Sequence, residues 1–133
     1  LSVKNSSPDY VVRLTADCPL IDPLLIDKVI QFAIDNQLDY ATNILIEEFP
    51  DGQDVEVFTF AALEKAWKEA ALLSEKEHVT PYIRNNSTFK GGVLFSSAHF
   101  PSPKNFHHIR MTVDEQVDFD VINADIFHFR VCT

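Results

Sequence analysis

Carboxylates are the residues of this sequence best placed to do chemistry. Asp17 stands in the stretch Arg13-Leu14-Thr15-Ala16-Asp17-Cys18-Pro19-Leu20-Ile21-Asp22-Pro23. The apolar run from Tyr10 to Leu14 reads as a short buried strand. Pro19 keeps Cys18 out of helical geometry, and Pro23 suits the first turn of a helix. Asp17 therefore lies just past the carboxyl end of a strand, where open α/β sheets keep their ligands. It either closes the turn or faces a ligand. Asp114 follows Ile109-Arg110-Met111-Thr112-Val113 and precedes a helical segment, so it is either an N-cap or a second rim carboxylate. Asp54 and Glu56 flank Val55, and in a strand they share a face. There they either sit on a solvated edge or accept hydrogen bonds from a ligand.

The cations and histidines raise the same question. Arg13 interrupts an apolar strand, so it needs an internal ion pair or an anionic ligand. Arg110 stands in the same position within its own strand. His107 and His108 would point to opposite faces of a strand, a poor geometry for joint metal binding, and read as structural. Cys18 and Cys132 have no metal-ligand spacing and read as reduced thiols, although a disulfide between them is an alternative. No GxSxG nucleophile elbow appears, so hydrolase chemistry has no support.

The elements that must position these groups follow from pattern. Residues 1–8 read as a flexible lead-in ending in Ser6-Ser7-Pro8. Strand 10–15 leads into a helix from Pro23 to about Asn36, with Asp22 as N-cap. Leu38 to Asn43 is a strand. Strand, helix, strand predicts a parallel pair with a right-handed crossover. Pro50-Asp51-Gly52 marks a turn. Asp54 to Phe60 alternates as a strand with one acidic edge, and a helix runs from Phe60 to about Leu73. Ser74 with Glu77 suggests a capping box on a second short helix. Pro81 obscures residues 78–86. Gly91 to Ser97 and His108 to Val113 read as strands, and Glu115 to about Phe129 as a terminal helix.

The chain of 133 residues, 46% hydrophobic and 23% charged, is long enough for one domain with a sizeable core. Eleven Phe promise an aromatic core or an exposed apolar surface. The net charge of −9 argues against a nucleic-acid binder, because such affinity rests on Lys and Arg neutralising phosphates. It leaves room for a nucleotide held through a metal ion. No apolar run approaches the roughly 18 residues of a membrane span, and no signal peptide is visible. These features predict a cytoplasmic protein without membrane or nucleic-acid partners. Exposed sheet edges favour a homo-oligomer.

The stretch RLTADCPLIDP resembles the cytidylyltransferase family that includes spore coat polysaccharide biosynthesis protein F, related to the enzymes that activate sialic acid and Kdo with CMP. DGQDVEVFTFAALEKAW at 51–67, EKEHVTPYIRNN at 75–86 and HHIRMTVDEQVDFDVI at 107–122 fit the same family in the same order. The resemblance covers roughly residues 8–122. It implies an α/β three-layer sandwich of the nucleotide-diphospho-sugar-transferase type, with a mixed, mostly parallel sheet. It implies transfer of CMP from CTP to a sugar or sugar acid, with release of pyrophosphate, in polysaccharide biosynthesis. Asp17 and Asp114 match the positions that hold the divalent cation, and Mg²⁺ is usually bound by such carboxylates together with phosphates. Asp54 and Glu56 would then meet sugar hydroxyls, Arg13 and Arg110 a phosphate or sugar carboxylate, and His78 the sugar side.

The family also implies an amino-terminal portion with a phosphate-holding Gly-containing loop. This chain starts at Leu1 and has only three Gly, none in such a loop. The expectation is therefore the carboxy-terminal part of a larger enzyme, inactive in isolation. Two alternatives are a non-catalytic binding or assembly module that keeps the fold, and a nucleotidyltransferase using another base.

Overall fold

The computed structural model describes residues 8–78 and 80–131. Residues 1–7 of the expected lead-in at 1–8, and Cys132, lie outside them. Strand β1 (Tyr10–Arg13) leads through the Asp17 turn to α1 (Pro23–Asp35) and β2 (Tyr40–Thr42). Asp22 caps α1 as its sequence predicts, its carboxylate accepting the Leu24 N–H at 2.9 Å with Pro23 in the first turn. After the 51–53 turn come β3 (Glu56–Thr59), α2 (Phe60–Glu69), α3 (Leu73–Glu77), α4 (Thr80–Asn85), β4 (Ser97–His99) and α5 (Gln116–Val131).

The sheet order is β1-β3-β2-β4. β3 runs antiparallel to both β1 and β2, while β2 and β4 are parallel. Three of the four strands thus share one direction, and the sheet is mixed. The expected adjacent parallel pair of β1 and β2 is corrected: β3 lies between them. The acidic-edge reading of β3 is corrected for the same reason. An interior strand is covered on both faces, and Glu56 is only 1% exposed.

Alternation along β3 builds two cores. Val57 and the preceding Val55 face α1, packing with Leu25, Val29, Ala33 and Ala41. Phe58 faces the other way, packing with Tyr40, Ala62, Leu63, Ala66 and Ile83 of β2, α2 and α4. The result is helix, sheet, helix.

Several boundaries differ from the sequence pattern. α2 stops at Glu69 because the chain turns at Ala70, which is buried against the core. The capping box around Ser74 is displaced: Glu75 accepts the Leu72 N–H at 3.3 Å, and Ser74 falls inside the first turn. Pro81 sits in the first turn of α4 and so interrupts nothing. Of the strand read at 91–97 only Ser97 is in β4, because Gly91 ends a 3₁₀ turn with φ of 81°. The strand read at 108–113 is reduced to one bridge, Asp51 to Arg110. Its neighbour is a turn, so there is no ladder to extend.

Candidate functional site

The register places the site. Arg13 pairs with Glu56, Glu56 with Thr42, and Thr42 with His99, so these four residues form one row across the sheet. Beyond that row, Asp17 follows the end of β1, Asn43 follows the end of β2, and Asp54 precedes the start of β3. All three therefore lie on one rim, the carboxyl-end rim of the three codirectional strands.

The carboxy-terminal segment closes onto this rim. Val113 donates its N–H to the Asp17 carbonyl at 2.8 Å. The Thr112 hydroxyl lies 3.2 Å from the same carbonyl and 3.3 Å from the Asp17 carboxylate. These bonds bring Asp17 beside the backbone that leads into Asp114. Hydrogen bonding from Thr15, against some desolvation, holds the Asp17 carboxyl below its ordinary range, so it is ionised at neutral pH.

Asp54 is different. Burial pushes its carboxyl up, and the charges of Asp51, Asp17 and Glu56 push the same way. Among the described residues no hydrogen-bond donor reaches its carboxylate. A half-buried carboxylate without a partner, amid other carboxylates, is what a ligand-binding position looks like physically. Asp54 lines a cleft of about 390 Å³ with Asn43, Glu47, Glu48, Asp51 and Arg110. A second cavity of about 460 Å³ lies among Leu20, Phe49, Phe100 and Phe106, and its wall is mainly apolar. The smaller cleft holds the perturbed carboxylate and is the better candidate.

Arg110 organises the cleft's outer wall. Its guanidinium meets Asp51 at 3.0 Å, Asp114 at 2.9 Å and Asp118 at 2.9 Å. Asp118 also accepts the N–H groups of Asp114 and Glu115 at 3.1 and 3.0 Å, satisfying donors at the start of α5. These hydrogen bonds, the Arg110 guanidinium first, hold the Asp118 carboxyl well below the ordinary range.

The remaining sequence candidates divide. Glu56 is buried and bonded to Arg13 at 2.6 Å, so the internal ion pair is what the structure shows for both. Arg110 is likewise ion-paired. His78 is exposed, its backbone N–H bonded to Ser74, and no bond from its ring is found among the described residues. His107 joins the cleft wall, 3.4 Å from Glu47. Cys18 is buried. Sequence reasoning missed Asp51, which Pro50-Asp51-Gly52 disguised as a turn residue, and Arg84 and Asp118, which carried no local signal. Among the described residues no group of three or more His, Cys, Asp or Glu could hold a metal ion. No helix among them is long and apolar enough to cross a membrane.

A mixed sheet between helical layers, with its polar groups at the strand ends, defines a nucleotide-sugar-transferase-like α/β fold. A solved structure of a cytidylyltransferase from Leptospira borgpetersenii serovar Hardjo-bovis superposes with a TM-score of 0.85 at 32% identity, over 96% of this chain and 52% of that one. The cytidylyltransferase family profile matches residues 1–124, and the chain belongs to that family. It is 40% identical to an uncharacterized protein of Methanocaldococcus jannaschii over 134 residues, covering 90% of this chain and 51% of the relative. It is 35% identical to spore coat polysaccharide biosynthesis protein SpsF of Bacillus subtilis over 120 residues, covering 88% and 47%. The chain thus spans about half the length of these relatives.

Proposed function

We propose that this protein acts in transfer of CMP from CTP to a sugar or sugar acid, with release of pyrophosphate, in polysaccharide biosynthesis. The observation that carries the reading is the convergence of Asp17, Asp54 and the Asp114 segment on one rim beside a cleft, in a chain of the cytidylyltransferase family. Asp17 and Asp114 would hold a Mg²⁺ ion. Their hard carboxylate oxygens suit that ion, which commonly takes one or two carboxylates and completes its shell with phosphate and water. When bound, the ion would neutralise charge on the triphosphate as pyrophosphate leaves.

The chain's own residues have separate tasks in this reading. Thr15 and Thr112 keep Asp17 ionised and oriented. Asp118 holds the backbone N–H of Asp114, and Arg110 holds its carboxylate. Asp54 accepts a hydrogen bond from an acceptor hydroxyl in the cleft, which would relieve its desolvation.

The test is pyrophosphate release by the protein expressed from its complete reading frame, with Mg²⁺, each of the four ribonucleoside triphosphates, and a panel of neutral sugars and sugar acids. Release that requires CTP and one sugar acceptor supports the reading. Release with another triphosphate would sink the cytidylyl assignment, and no release with any pair would sink the transferase.

A further inference from the structure

Gln53 joins the loop that carries Asp17 to the segment that leads into Asp114. Its side chain is buried, and its amide reaches across to the loop between β1 and α1. Oε1 accepts the Asp22 N–H at 2.9 Å, and Nε2 donates to the Leu20 carbonyl at 2.8 Å. The partners fix which end of the amide is which, because an N–H needs the oxygen and a carbonyl needs the nitrogen. Nε2 also lies 3.7 Å from the Met111 Sδ, next to Thr112. The backbone of Gln53 is held on both sides. Its N–H donates to the Pro50 carbonyl at 3.1 Å, and its carbonyl accepts from Asn43 Nδ2 at 2.6 Å.

The loop is stiff enough to carry that position back to Asp17. The Cys18 N–H donates to the Thr15 carbonyl and the Ile21 N–H to the Cys18 carbonyl, each at 3.3 Å, so one turn follows directly on another. Pro19 fixes its own φ between them. A shift of Leu20 and Asp22 therefore turns Asp17 with it. The other end of the 51–53 turn grips the returning segment. The Asp51 N–H donates to the Ile109 carbonyl at 2.9 Å, and the Asp51 carbonyl accepts the Met111 N–H at 2.7 Å. One turn thus supports both carboxylates, through Asp51 on the Asp114 side and through Gln53 on the Asp17 side.

We propose that Gln53 is a positioning residue that sets the placement of the Asp17 carboxylate relative to Asp114. Its side-chain hydrogen bonds go to neither carboxylate, so it acts through the Leu20–Asp22 backbone. This rests on the transferase reading, in which the two carboxylates share a cation, and adds the outer residue that spaces them. The role calls for one acceptor and one donor at a fixed reach. Asn is one methylene short, and an ionised Glu offers acceptors only.

The test uses the protein from its complete reading frame, below its unfolding temperature, with two readouts. One is Mn²⁺ affinity by electron paramagnetic resonance. The other needs no metal: hydrogen exchange at Val113, whose N–H is bonded to the Asp17 carbonyl. Gln53→Met keeps the bulk and removes both bonds. It should weaken Mn²⁺ binding by about tenfold or more and speed exchange at Val113. Gln53→Glu should match it at about pH 8 and recover towards the parent as the pH falls to about 5, because a buried carboxyl takes up its proton early and then offers one donor and one acceptor again. Each value is read as a ratio to the parent at the same pH, and Asp17, held below its ordinary range, stays ionised throughout. A residue that served the fold alone would lower the melting temperature and leave both readouts at parental values. Parental Mn²⁺ affinity in Gln53→Met, or unchanged exchange at Val113, overturns the proposal. Where Gln53→Met does not fold, the pH response of Gln53→Glu decides, and a flat ratio overturns it. If Mn²⁺ binding by the parent is indifferent to Asp17→Asn, the shared cation is rejected, and exchange at Val113 alone then decides the placement.

Discussion

Tyr40 donates its phenol to Glu56 at 2.6 Å, and both residues are almost wholly buried. The bond joins the middle of the sheet to a carboxylate that also anchors β1 through Arg13 and α4 through Arg84. A buried charge is tolerable only when paired and fully bonded. Removing Glu56 strands two cations and the hydroxyls of Tyr40 and Thr80 around a cavity. Breaking a buried pair costs about 3–5 kcal/mol, and the one-third exposure of both arginines places this case near the lower end. Glu56→Ala should therefore shift the urea midpoint by an amount equal to about 3 kcal/mol, with the slope m unchanged. A shift below about 1 kcal/mol, the scale of a single net hydrogen bond, would show that the network is a surface feature.

Gly52 packs against the backbone of the segment that returns to the rim. Its φ is 100°, and a Cβ there would lie 2.7 Å from both the carbonyl carbon of Met111 and the nitrogen of Thr112. The obstacle is backbone, which cannot swing aside, and the conformation itself disfavours a side chain. Gly52→Ala should cost about 1–3 kcal/mol. The Met111 N–H, bonded to the Asp51 carbonyl at 2.7 Å, should lose hydrogen-exchange protection first. Unchanged protection at Met111 would mean that the turn adapts without moving the rim.

Asp54 gives a pH dependence of definite sign. Its folded carboxyl has a raised affinity for protons, chiefly through burial, so the native state binds a proton that the unfolded chain has already released. Stability contributed by this group is therefore greatest below its ordinary value of 3.8 and falls as pH rises through the raised folded value. Asp54→Asn removes the charge with little change in shape. The variant should melt higher than the parent at pH 7, and the gap should shrink towards pH 3. A variant that melts lower at pH 7 would imply that Asp54 has a cationic partner in solution.

Much of this arrangement is legible from local pattern. Asp22-Pro23 announces the start of α1, and Val55-Glu56-Val57-Phe58 announces a strand, because caps and alternation are local physics. Alternation assigns a face but not a depth. Glu56 and Asp54 share a face, yet one is saturated deep in the sheet and the other is unpartnered at the cleft. The difference comes from Tyr40, Thr80 and Arg84, which are distant in sequence. The segment at 108–113 shows the reverse failure. Its residues favour a strand, but Gly52 and Asp51 offer it a turn, and one bridge is all that forms. Asp17 and Asp114 are the candidates that local pattern makes legible, since both stand where a strand-like run gives way. The bonds that hold them near each other, from Thr112 and Val113, are long-range and invisible to any window.

Asp17 and Asp114 are expected to serve one cation. Val113 and Thr112 tie the backbone at Asp17 to the residues just before Asp114, across about a hundred positions of sequence. Asp17 is kept ionised by its hydroxyl partners, while one oxygen of Asp114 is engaged by Arg110 at 2.9 Å in an exposed pair. Exposed pairs contribute about 0–1 kcal/mol, so a divalent cation can displace Arg110 from Asp114 at little cost. Substituting Asn preserves shape and removes one charged oxygen ligand. In the protein from the complete reading frame, Asp17→Asn and Asp114→Asn should each lower kcat by about 100-fold or more while thermal unfolding moves little. Mn²⁺ binding followed by electron paramagnetic resonance should weaken in both variants, a readout independent of turnover. The two should also be non-additive, because either loss already opens the shared site. Additive losses, or one variant with unchanged Mn²⁺ affinity, would show that the two carboxylates do not serve one cation.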